Sequence, residues 1–444
     1  LISNNVKLSP PQILVTGFAC IIMLGTILLM MPSATVAGSG LNFLDALFTA
    51  TSAVCVTGLV VVDTGTYFTV FGKSVIMGLI QIGGLGFMTF GTIVAMLMGK
   101  KIYLRERLIL KESLNQNSVQ GIVLMVKRVL ILTFIVELAG AIILACRFMQ
   151  HMTVKRALFY GVFHSISAFN NAGFDLIGNF RSFTPYVSDG IINITLALLI
   201  IIGGLGFAVS LDCIKKRKYN GFSLHTKVVL ITTFSLLCIA FFVIFAFEFF
   251  NTDTLGKLNL KDKALAAFFQ GVSVRTAGFN TIDISLLKEG TLFVMIMLMF
   301  IGASPGSTGG GIKTSTFSTL LLYVKSIIMG EEDINLFGKQ IAKIAVRKAT
   351  AIFFISLTIV IISTLLICWF TDVGFLPSLF EATSAFGTVG LSVGVTSQLN
   401  FSGKIVIIIT MFLGRLGPLT IAMALTNRPK TNIIRYPEEK IIVG

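Results

Sequence analysis

Residues 52–58 read Ser-Ala-Val-Cys-Val-Thr-Gly, and the chain repeats this small-residue pattern three more times, at intervals of roughly 110 residues. The later copies are Ser-Ala-Phe-Asn-Asn-Ala-Gly at 167–173, Val-Ser-Val-Arg-Thr-Ala-Gly at 272–278 and Ser-Ala-Phe-Gly-Thr-Val-Gly at 384–390. Ten residues before each final glycine stands a phenylalanine: Phe48, Phe163, Phe268 and Phe380. Four copies of one motif predict four copies of one structural unit around a common axis.

The composition places the chain in a membrane. The 444 residues are 55% hydrophobic and only 12% charged, about half the charge of a typical soluble protein. Eight apolar segments have about the length needed to cross a hydrocarbon core, the sixth being interrupted by glycines. They are Gln12–Met31, Ser74–Gly99, Val129–Cys146, Ile191–Leu211, Val228–Phe247, Leu292–Ile301 continued by Phe317–Ile328, Ala349–Phe370 and Ile405–Leu425. The sequence therefore predicts an all-α polytopic membrane protein with eight transmembrane helices.

Each motif lies between the two spans of one pair and follows a short apolar segment. These segments are Asn42–Thr51, Arg156–Ile166, Lys263–Gly271 and Leu376–Thr383. Apolar segments too short to span are typical of re-entrant half-helices. Each repeat is therefore predicted to run span, half-helix, loop, span (M1–P-loop–M2), with four repeats in a pseudo-fourfold arrangement around a central pore. The predicted boundaries are 1–100, 101–218, 219–330 and 331–427, followed by a C-terminal tail at 428–444.

Basic residues predict the orientation. They concentrate between the repeats, as in Lys215-Lys216-Arg217-Lys218, and after the last span. Short cytoplasmic loops carry this bias, so both termini are expected in the cytoplasm and the half-helix loops outside. The net charge of +15 follows from the same bias. Nucleic-acid binding is not expected, because the chain has no separate basic domain. No cleavable signal peptide is expected at 12–31, and the start at Leu1 suggests that the native N-terminus is missing.

The repeated loop suits a cation-selective filter. A cation that loses its water needs oxygen ligands, and rings of backbone carbonyls from four loops supply them. Glycine adopts the required positive φ without a Cβ penalty, and the carbonyl end of a half-helix is partly negative. The loops hold no ring of acids, so carbonyls are the expected ligands. The predicted ion-binding residues are Cys55, Val56, Thr57, Gly58, Asn170, Asn171, Ala172, Gly173, Arg275, Thr276, Ala277, Gly278, Gly387, Thr388, Val389 and Gly390.

A second block recurs in the second span of each repeat. Residues 82–87 and 202–207 both read Ile-Gly-Gly-Leu-Gly-Phe, while 301–306 read Ile-Gly-Ala-Ser-Pro-Gly and 413–418 read Leu-Gly-Arg-Leu-Gly-Pro. Close helix packing explains the glycines of the first two copies. Arg415 is different, because a charge in mid-span usually faces the bundle interior or a wet cavity. We expect it below the filter, where it repels or meters cations; the alternative is a side chain extended to the cytoplasmic face.

The third repeat interrupts its second span at 302–316, which read Gly-Ala-Ser-Pro-Gly-Ser-Thr-Gly-Gly-Gly-Ile-Lys-Thr-Ser-Thr. Five glycines and a proline cannot hold a helix, and irregular backbone at membrane depth is tolerated only inside protein or beside a water-filled cavity. This intramembrane loop is therefore a candidate gate. The predicted gating residues are Gly302, Ala303, Ser304, Pro305, Gly306, Gly309, Gly310, Gly311, Lys313 and Arg415. A phosphate-binding loop is not expected, because Ile312 separates the glycines from Lys313.

Two acids lie within the predicted spans. Glu137 and Glu248 are functional candidates by position, although neither has a counterpart in the other repeats. Glu248 lies near the outer end of its span and is expected to be solvated. No pairing of His, Asp, Glu or Cys at membrane depth suggests catalysis, so the chain is not expected to be an enzyme.

Together the four loops, the broken third second-span and Arg415 resemble the Trk/Ktr/HKT superfamily of potassium transporters, most closely the membrane subunits of Ktr systems. The resemblance covers nearly the whole chain. It implies filter glycines at Gly58, Gly173, Gly278 and Gly390 and a gating loop at 302–316. Plant members that prefer sodium carry serine at the first position, so Gly58 implies potassium.

The resemblance also implies partners. These are a second copy of the chain in a homodimer, membrane lipid, and a cytosolic regulatory ring of the KtrA type that binds ATP or ADP. K⁺ is the implied transported ion, Na⁺ a possible activating ion, and no organic cofactor is expected on this chain.

The predicted function is gated, channel-like potassium uptake across a bacterial cell membrane. A coupled K⁺/Na⁺ symporter and a sodium-permeable transporter of the same fold remain alternatives. A coupled carrier is expected to show two related halves, whereas four similar quarters favour a pore.

Overall fold

The computed structural model describes residues 9–86, 89, 104–113 and 120–425. The rest of the second predicted span, the basic pair at 100–101 and the tail at 428–444 lie outside these residues. Helices account for nearly all the regular structure. They are α1 (Pro10–Met30), α2 (Phe43–Val54), α3 (Thr64–Tyr67), α4 (Val70–Leu85), α5 (Leu104–Ser113), α6 (Ile122–Phe148), α7 (Val154–Phe169), α8 (Gly190–Gly204), α9 (Phe207–Lys216), α10 (Leu224–Glu248), α11 (Leu260–Ser273), α12 (Glu289–Phe300), α13 (Thr314–Ile328), α14 (Lys343–Phe370), α15 (Phe375–Gly387), α16 (Phe401–Leu416) and α17 (Pro418–Leu425). Strands β1 (Asn335–Leu336) and β2 (Lys339–Gln340) form an antiparallel hairpin.

The first helix of each predicted repeat is long and apolar enough to cross a membrane. These helices are α1, α6, α10 and α14, of 21, 27, 25 and 28 residues. Their outer faces expose large apolar side chains: Phe134, Phe234 and Trp369 are 71%, 69% and 84% exposed. Faces of this kind are stable against hydrocarbon rather than water. The first helices therefore form the lipid-facing layer.

The half-helices are short and end in the buried interior of the protein. Helices α2, α7, α11 and α15 have 12 to 16 residues, too short to span a bilayer. Asparagine side chains begin two of them, since Asn42 accepts the N–H of Asp45 at 2.9 Å and Asn259 accepts that of Asp262 at 2.8 Å. The last turns of the half-helices are buried. The core of the protein thus surrounds the ends of these helices.

The third half-helix differs from the sequence expectation by one residue. Phe48, Phe163 and Phe380 are fully buried, but Phe268 is 36% exposed and Phe269 takes the buried place. In every repeat a serine stands four residues after the buried phenylalanine. When the repeats are aligned on this serine, the half-helices match and Ser273 is equivalent to Ser52. The third loop is therefore one residue shorter between its serine and its glycine, and the alignment on Phe268 was wrong.

The second helix of each pair is broken rather than continuous. Helix α4 ends at Leu85 before Gly86, α8 and α9 meet at 98° beside Gly206, and α16 ends at Leu416, with Gly417 between it and α17. These three glycines share one backbone conformation, with φ of 81°, 92° and 82° and ψ of 132°, 136° and 136°. Residues with a Cβ rarely adopt it. The spans predicted at Ile191–Leu211 and Ile405–Leu425 are therefore interrupted by turns that the sequence did not indicate, and eight spans stay a prediction.

Glu248 is buried, contrary to the expectation that water solvates it. Its carboxylate accepts hydrogen bonds from Asn251 Nδ2 at 2.6 Å, Thr254 Oγ1 at 2.8 Å and the N–H of Lys288 at 3.1 Å, and another from the Thr291 hydroxyl. These donors join the end of α10 to the start of α12. Glu248 therefore has a structural role in the third repeat, because a buried carboxylate with several donors is stable in place.

Candidate ion-conducting site

The four motif glycines lie against one another in a closed ring, in chain order. A methyl group placed on the α-carbon of each glycine would lie less than 3.0 Å from a backbone carbonyl oxygen of the next loop in the ring. That oxygen belongs to the residue immediately before the next loop's own motif glycine. The pairs are Gly58 with Ala172, Gly173 with Ala277, Gly278 with Val389, and Gly390 with Thr57. No side chain fits at these four positions, so each loop brings a carbonyl group into the ring.

The loop backbone leaves these carbonyls free. Each ring glycine has positive φ, and so does the residue two places before it. Those residues are Val56, Asn171, Thr276 and Thr388, with φ of 52°, 56°, 75° and 50°. Neither helix nor strand continues through such backbone. In the part of the chain that the structure describes, no hydrogen bond engages the carbonyl oxygens of Thr57, Ala172, Ala277 or Val389. Buried carbonyls without partners are unusual and suit an external ligand.

A serine holds each loop to its half-helix. Ser52 Oγ accepts the N–H of Gly58 at 3.1 Å, and Ser384 Oγ accepts that of Gly390 at 3.1 Å. Ser167 Oγ donates to the carbonyl of Phe174 at 2.7 Å, and Ser273 donates to the equivalent carbonyl of Phe279. These short tethers position the ring glycines relative to the helix ends. Sequence reasoning did not assign the serines a role, although their constant spacing from the buried phenylalanines was visible.

A cavity of about 680 Å³, which we call the vestibule, is lined by all four glycines. It opens on the side of the ring where each loop continues after its glycine. Asp63, Asp175, Asp253 and Asp283 also line it, with Arg181 as the basic member among the described lining residues. An excess of acids in a cleft raises the local concentration of cations. Burial raises the pKa of the Asp175 carboxyl to about 7, and the nearby Asp63 acts in the same direction. The charge of the vestibule therefore changes near neutral pH.

Two predicted filter residues turn their side chains away from the ring. Asn170 Nδ2 donates to Gln81 Oε1 at 2.9 Å and to Glu137 Oε1 at 3.0 Å. The buried Arg275 donates from Nη2 to the carbonyl of Gly302 at 3.2 Å. Only the backbone of these two positions can therefore contribute to the ring.

The intramembrane loop passes beneath the ring, on the side opposite the vestibule. The N–H of Gly310 donates to Thr388 Oγ1 at 2.9 Å, and Thr308 Oγ1 donates to the carbonyl of Phe169 at 3.2 Å. A methyl group on Gly309 would collide with Thr276 Oγ1. The loop thus contacts three of the four ring-forming loops, and two of its glycines are needed for this approach.

Further bonds hold the loop against the second repeat and to itself. Ser304 donates its N–H to the carbonyl of Gly204 at 3.0 Å, and Gly306 accepts the N–H of Phe207 at 2.8 Å. Lys313 Nζ donates to the carbonyl of Gly309 at 2.6 Å. The remaining predicted gating residues Gly302, Ala303, Pro305 and Gly311 lie in the same stretch, with Gly311 at φ 68°.

Arg415 connects the loop to the first repeat. Its guanidinium donates to the carbonyls of Gly83 and Thr308, and to that of Gly84 at 3.1 Å. The side chain therefore joins the end of α4 to the loop beneath the ring. Thr308 was not among the predicted gating residues, because a threonine in a flexible stretch carries no sequence signal of its contacts.

Comparison with known proteins identifies the family of the chain. The family described as "TrkH: Cation transport protein" matches residues 10–436. The chain belongs to this family. TrkH-family relatives include "Ktr system potassium uptake protein B" of Bacillus subtilis, 44% identical over 439 residues, 99% of this chain and 98% of that protein. The protein of the same name from Vibrio alginolyticus is 39% identical over 99% of this chain and 96% of its own length.

Two further relatives bear on fold and ion. "Potassium/sodium uptake protein NtpJ" of Enterococcus hirae is 36% identical over 99% of this chain and 98% of its own length. The solved structure of the potassium transporter TrkH from Vibrio parahaemolyticus matches with a TM-score of 0.71 at 19% identity, over 95% of this chain and 86% of that one. The last match concerns the fold alone.

Proposed function

We propose that this chain is a gated, channel-like potassium uptake protein whose selectivity filter consists of backbone carbonyls from four loops. The observation that carries the proposal is the closed ring of Gly58, Gly173, Gly278 and Gly390 with its free carbonyls. Four loops of one chain then stand in a pseudo-fourfold arrangement around the conducting axis. The relatives named as potassium uptake proteins support the choice of ion.

The proposed path starts in the vestibule. Its acids concentrate cations at the outer side, and the ring exchanges their water for peptide oxygens. Helices α2, α7, α11 and α15 end at the ring, so the partial negative charge of their C-termini favours a cation there. The filter needs no acidic side chain in this scheme.

The proposed gate is the intramembrane loop together with Arg415. The loop lies against Thr276 and Thr388. In this scheme it closes the path below the ring. Opening requires the bonds of Thr308 and Arg415 to break. We propose that a second copy of the chain and a cytosolic regulatory ring binding ATP or ADP control this step, with both termini on the cytoplasmic side and Na⁺ as an activating ion.

Gly278→Asp tests the filter. At φ 79° and with no space for a Cβ, an aspartate must displace the ring, so potassium uptake should be abolished. Growth of a potassium-requiring strain on low potassium measures it. Gly290→Asp is the matched control, because Gly290 stands in open space at the start of α12. Normal growth of the Gly278 variant at normal expression would refute the filter assignment.

A flux measurement separates a pore from a carrier. The name of the Enterococcus hirae relative makes coupled K⁺/Na⁺ transport the second candidate. Liposomes holding the purified chain should pass K⁺ in preference to Na⁺ and without requiring a Na⁺ gradient. Flux of K⁺ that stops when the Na⁺ gradient is removed would favour the carrier.

A further inference from the structure

A connected set of side-chain hydrogen bonds holds the second filter loop, and Asn170 Nδ2 also donates to the carbonyl of Ile166 at 2.9 Å. Asn170 Nδ2 donates to Gln81 Oε1 at 2.9 Å and to Glu137 Oε1 at 3.0 Å, and Gln81 Nε2 donates to Glu137 Oε2 at 3.1 Å. We call Gln81, Glu137 and Asn170 the amide–carboxylate triangle. Each member bonds to both others, so none can rotate without loss.

The triangle joins elements that are distant in sequence. Gln81 belongs to α4 of the first predicted repeat, Glu137 to α6 of the second, and Asn170 follows the half-helix α7. Asn170 is fully buried and Glu137 is 7% exposed. The backbone carbonyl of Glu137 also accepts Ser165 Oγ of α7 at 2.6 Å, so the acid is held at both its main chain and its side chain.

The composition of the triangle indicates a specific role for the acid. Both carboxylate oxygens accept from amide groups, and among the described residues no ion pair joins Glu137 to a base. A buried acid without a cationic partner lowers stability relative to an apolar side chain. A buried acid of this kind is expected where it holds a polar group in place by hydrogen bonds, which an apolar side chain cannot do. What it positions here is the Asn170 amide.

Asn170 in turn sets the spacing of the first and second loops. It stands three residues before Gly173, and a methyl group on Gly84 of α4 would collide with its Oδ1. Nearby, a methyl group on Gly58 would lie 2.5 Å from the carbonyl oxygen of Ala172. A displaced Asn170 would therefore alter the approach of the two loops, and ring dimensions and carbonyl field decide between K⁺ and Na⁺.

We propose that Glu137 is a positioning residue for ion selectivity, which acts through Gln81 and Asn170 on the spacing of the first two filter loops. The inference rests on the proposed filter function. It assigns to the second repeat a selectivity determinant that lies outside the ring and never touches the ion.

Glu137→Gln tests the proposal because it changes one atom of the triangle. The new Nε2 faces an amide donor, so one of the two bonds to residue 137 is lost. Uptake of K⁺ and Na⁺ into liposomes is measured with the full-length purified chain. KM for K⁺ should rise, and the preference for K⁺ over Na⁺ fall, by about tenfold, equivalent to one hydrogen bond to a charged group. Maximal Na⁺ flux should not fall, since the path remains open.

The exchange Gln81→Glu with Glu137→Gln is the decisive rescue. In the double variant the carboxylate at position 81 accepts from Asn170 and from the new amide at position 137. The amide oxygen at position 137 accepts from Asn170, so every bond of the triangle is restored with the charge moved across it. Selectivity should return to within about twofold of the wild type. A merely structural need for an acid at position 137 would leave the double variant as impaired as the single one.

Two further variants make every result decisive. Gln81→Met removes two sides of the triangle without touching the acid, and should lower the preference for K⁺ if Glu137→Gln does not fold. Glu248→Gln alters a buried acid outside the site and should keep wild-type selectivity. Wild-type KM in folded Glu137→Gln or Gln81→Met, or no rescue in a folded double variant, overturns the inference. Loss of uptake in Gly278→Asp in the same assay supports the filter assignment independently of Glu137. Wild-type selectivity in Gly278→Asp would overturn both the filter assignment and this inference.

Discussion

The second helices of the repeats use one aligned glycine in two different ways. In three repeats this glycine packs on a carbonyl in the last turn of its own half-helix, so close that any Cβ would collide. The pairs are Gly83 with Val54, Gly203 with Phe169, and Gly414 with Phe386. In the third repeat Gly302 packs instead on the carbonyl of Gly310, within the intramembrane loop.

This difference separates a rigid contact from a releasable one. In repeats one, two and four, backbone packs on backbone between two helices, and such interfaces tolerate little change. In repeat three the contact joins the beginning of the loop to its end, so a change there displaces the loop before it displaces a half-helix. The same sequence block therefore packs against the half-helix in three repeats, whereas in the third repeat its glycine packs against the loop at 302–316.

The largest expected effect comes from filling the rigid contact. Gly203→Ala places a methyl group against the carbonyl of Phe169 and should cost about 3 kcal/mol, visible as a lower Tm and a low yield of monodisperse protein. Gly302→Ala should fold normally and raise flux, because it pushes only the loop away. Gly190→Ala, in open space at the start of α8, is the control. Equal Tm values for the Gly203 and Gly190 variants would contradict the distinction.

Removing the releasable element should have the next largest effect. Deletion of residues 303–313 eliminates the contacts with Thr276, Thr388 and Phe169 and should raise K⁺ flux about tenfold or more without a regulatory partner. Liposome flux measures it. Equal or lower flux in well-folded protein would count against the gate.

Arg415→Gln weakens the same closure from the other side. The variant loses charged hydrogen bonds to the carbonyls of Gly83 and Thr308, so cation flux should rise severalfold, up to about tenfold. Lys404→Gln on the same helix removes a charge that pairs with Asp45 at 2.6 Å, and should leave flux unchanged. If neither substitution alters flux, Arg415 does not lie on the ion path.

The smallest expected effect concerns the vestibule, where pH should matter. Because burial raises the pKa of Asp175 to about 7, its carboxyl is mostly neutral at pH 6 and mostly charged at pH 8. KM for K⁺ should therefore be about twofold higher at pH 6 than at pH 8. Asp175→Asn should flatten this dependence, and Asp253→Asn should keep it. An unchanged pH profile in the Asp175 variant would exclude this group.

The parts of the fold that sequence could predict are those encoded by local pattern. The half-helices and the glycine of each loop follow from short apolar segments and a repeated turn, and the structure brings Gly58, Gly173, Gly278 and Gly390 together. The break after Phe300 was also predictable, because glycines and a proline cannot continue a helix.

The remainder depended on information that local pattern lacks. Hydropathy does not register a backbone dihedral, so the turns at Gly206 and Gly417 escaped it. Aligning on the glycines alone hid the missing residue before Gly278. The bond from Asn170 to Gln81 spans 89 residues. Glu248 looked solvated because two of its donors, Lys288 and Thr291, lie 40 and 43 residues further along the chain.

The shortened third turn has a consequence for how such a protein can be assembled. Four identical subunits would each carry the same deletion, the same loop and the same arginine, and the loops would compete for the space under the axis. When the four quarters belong to one polypeptide, a substitution or deletion can occur in one quarter without occurring in the others. Here the third quarter carries the loop at 302–316, the fourth carries Arg415, and the first and second carry neither.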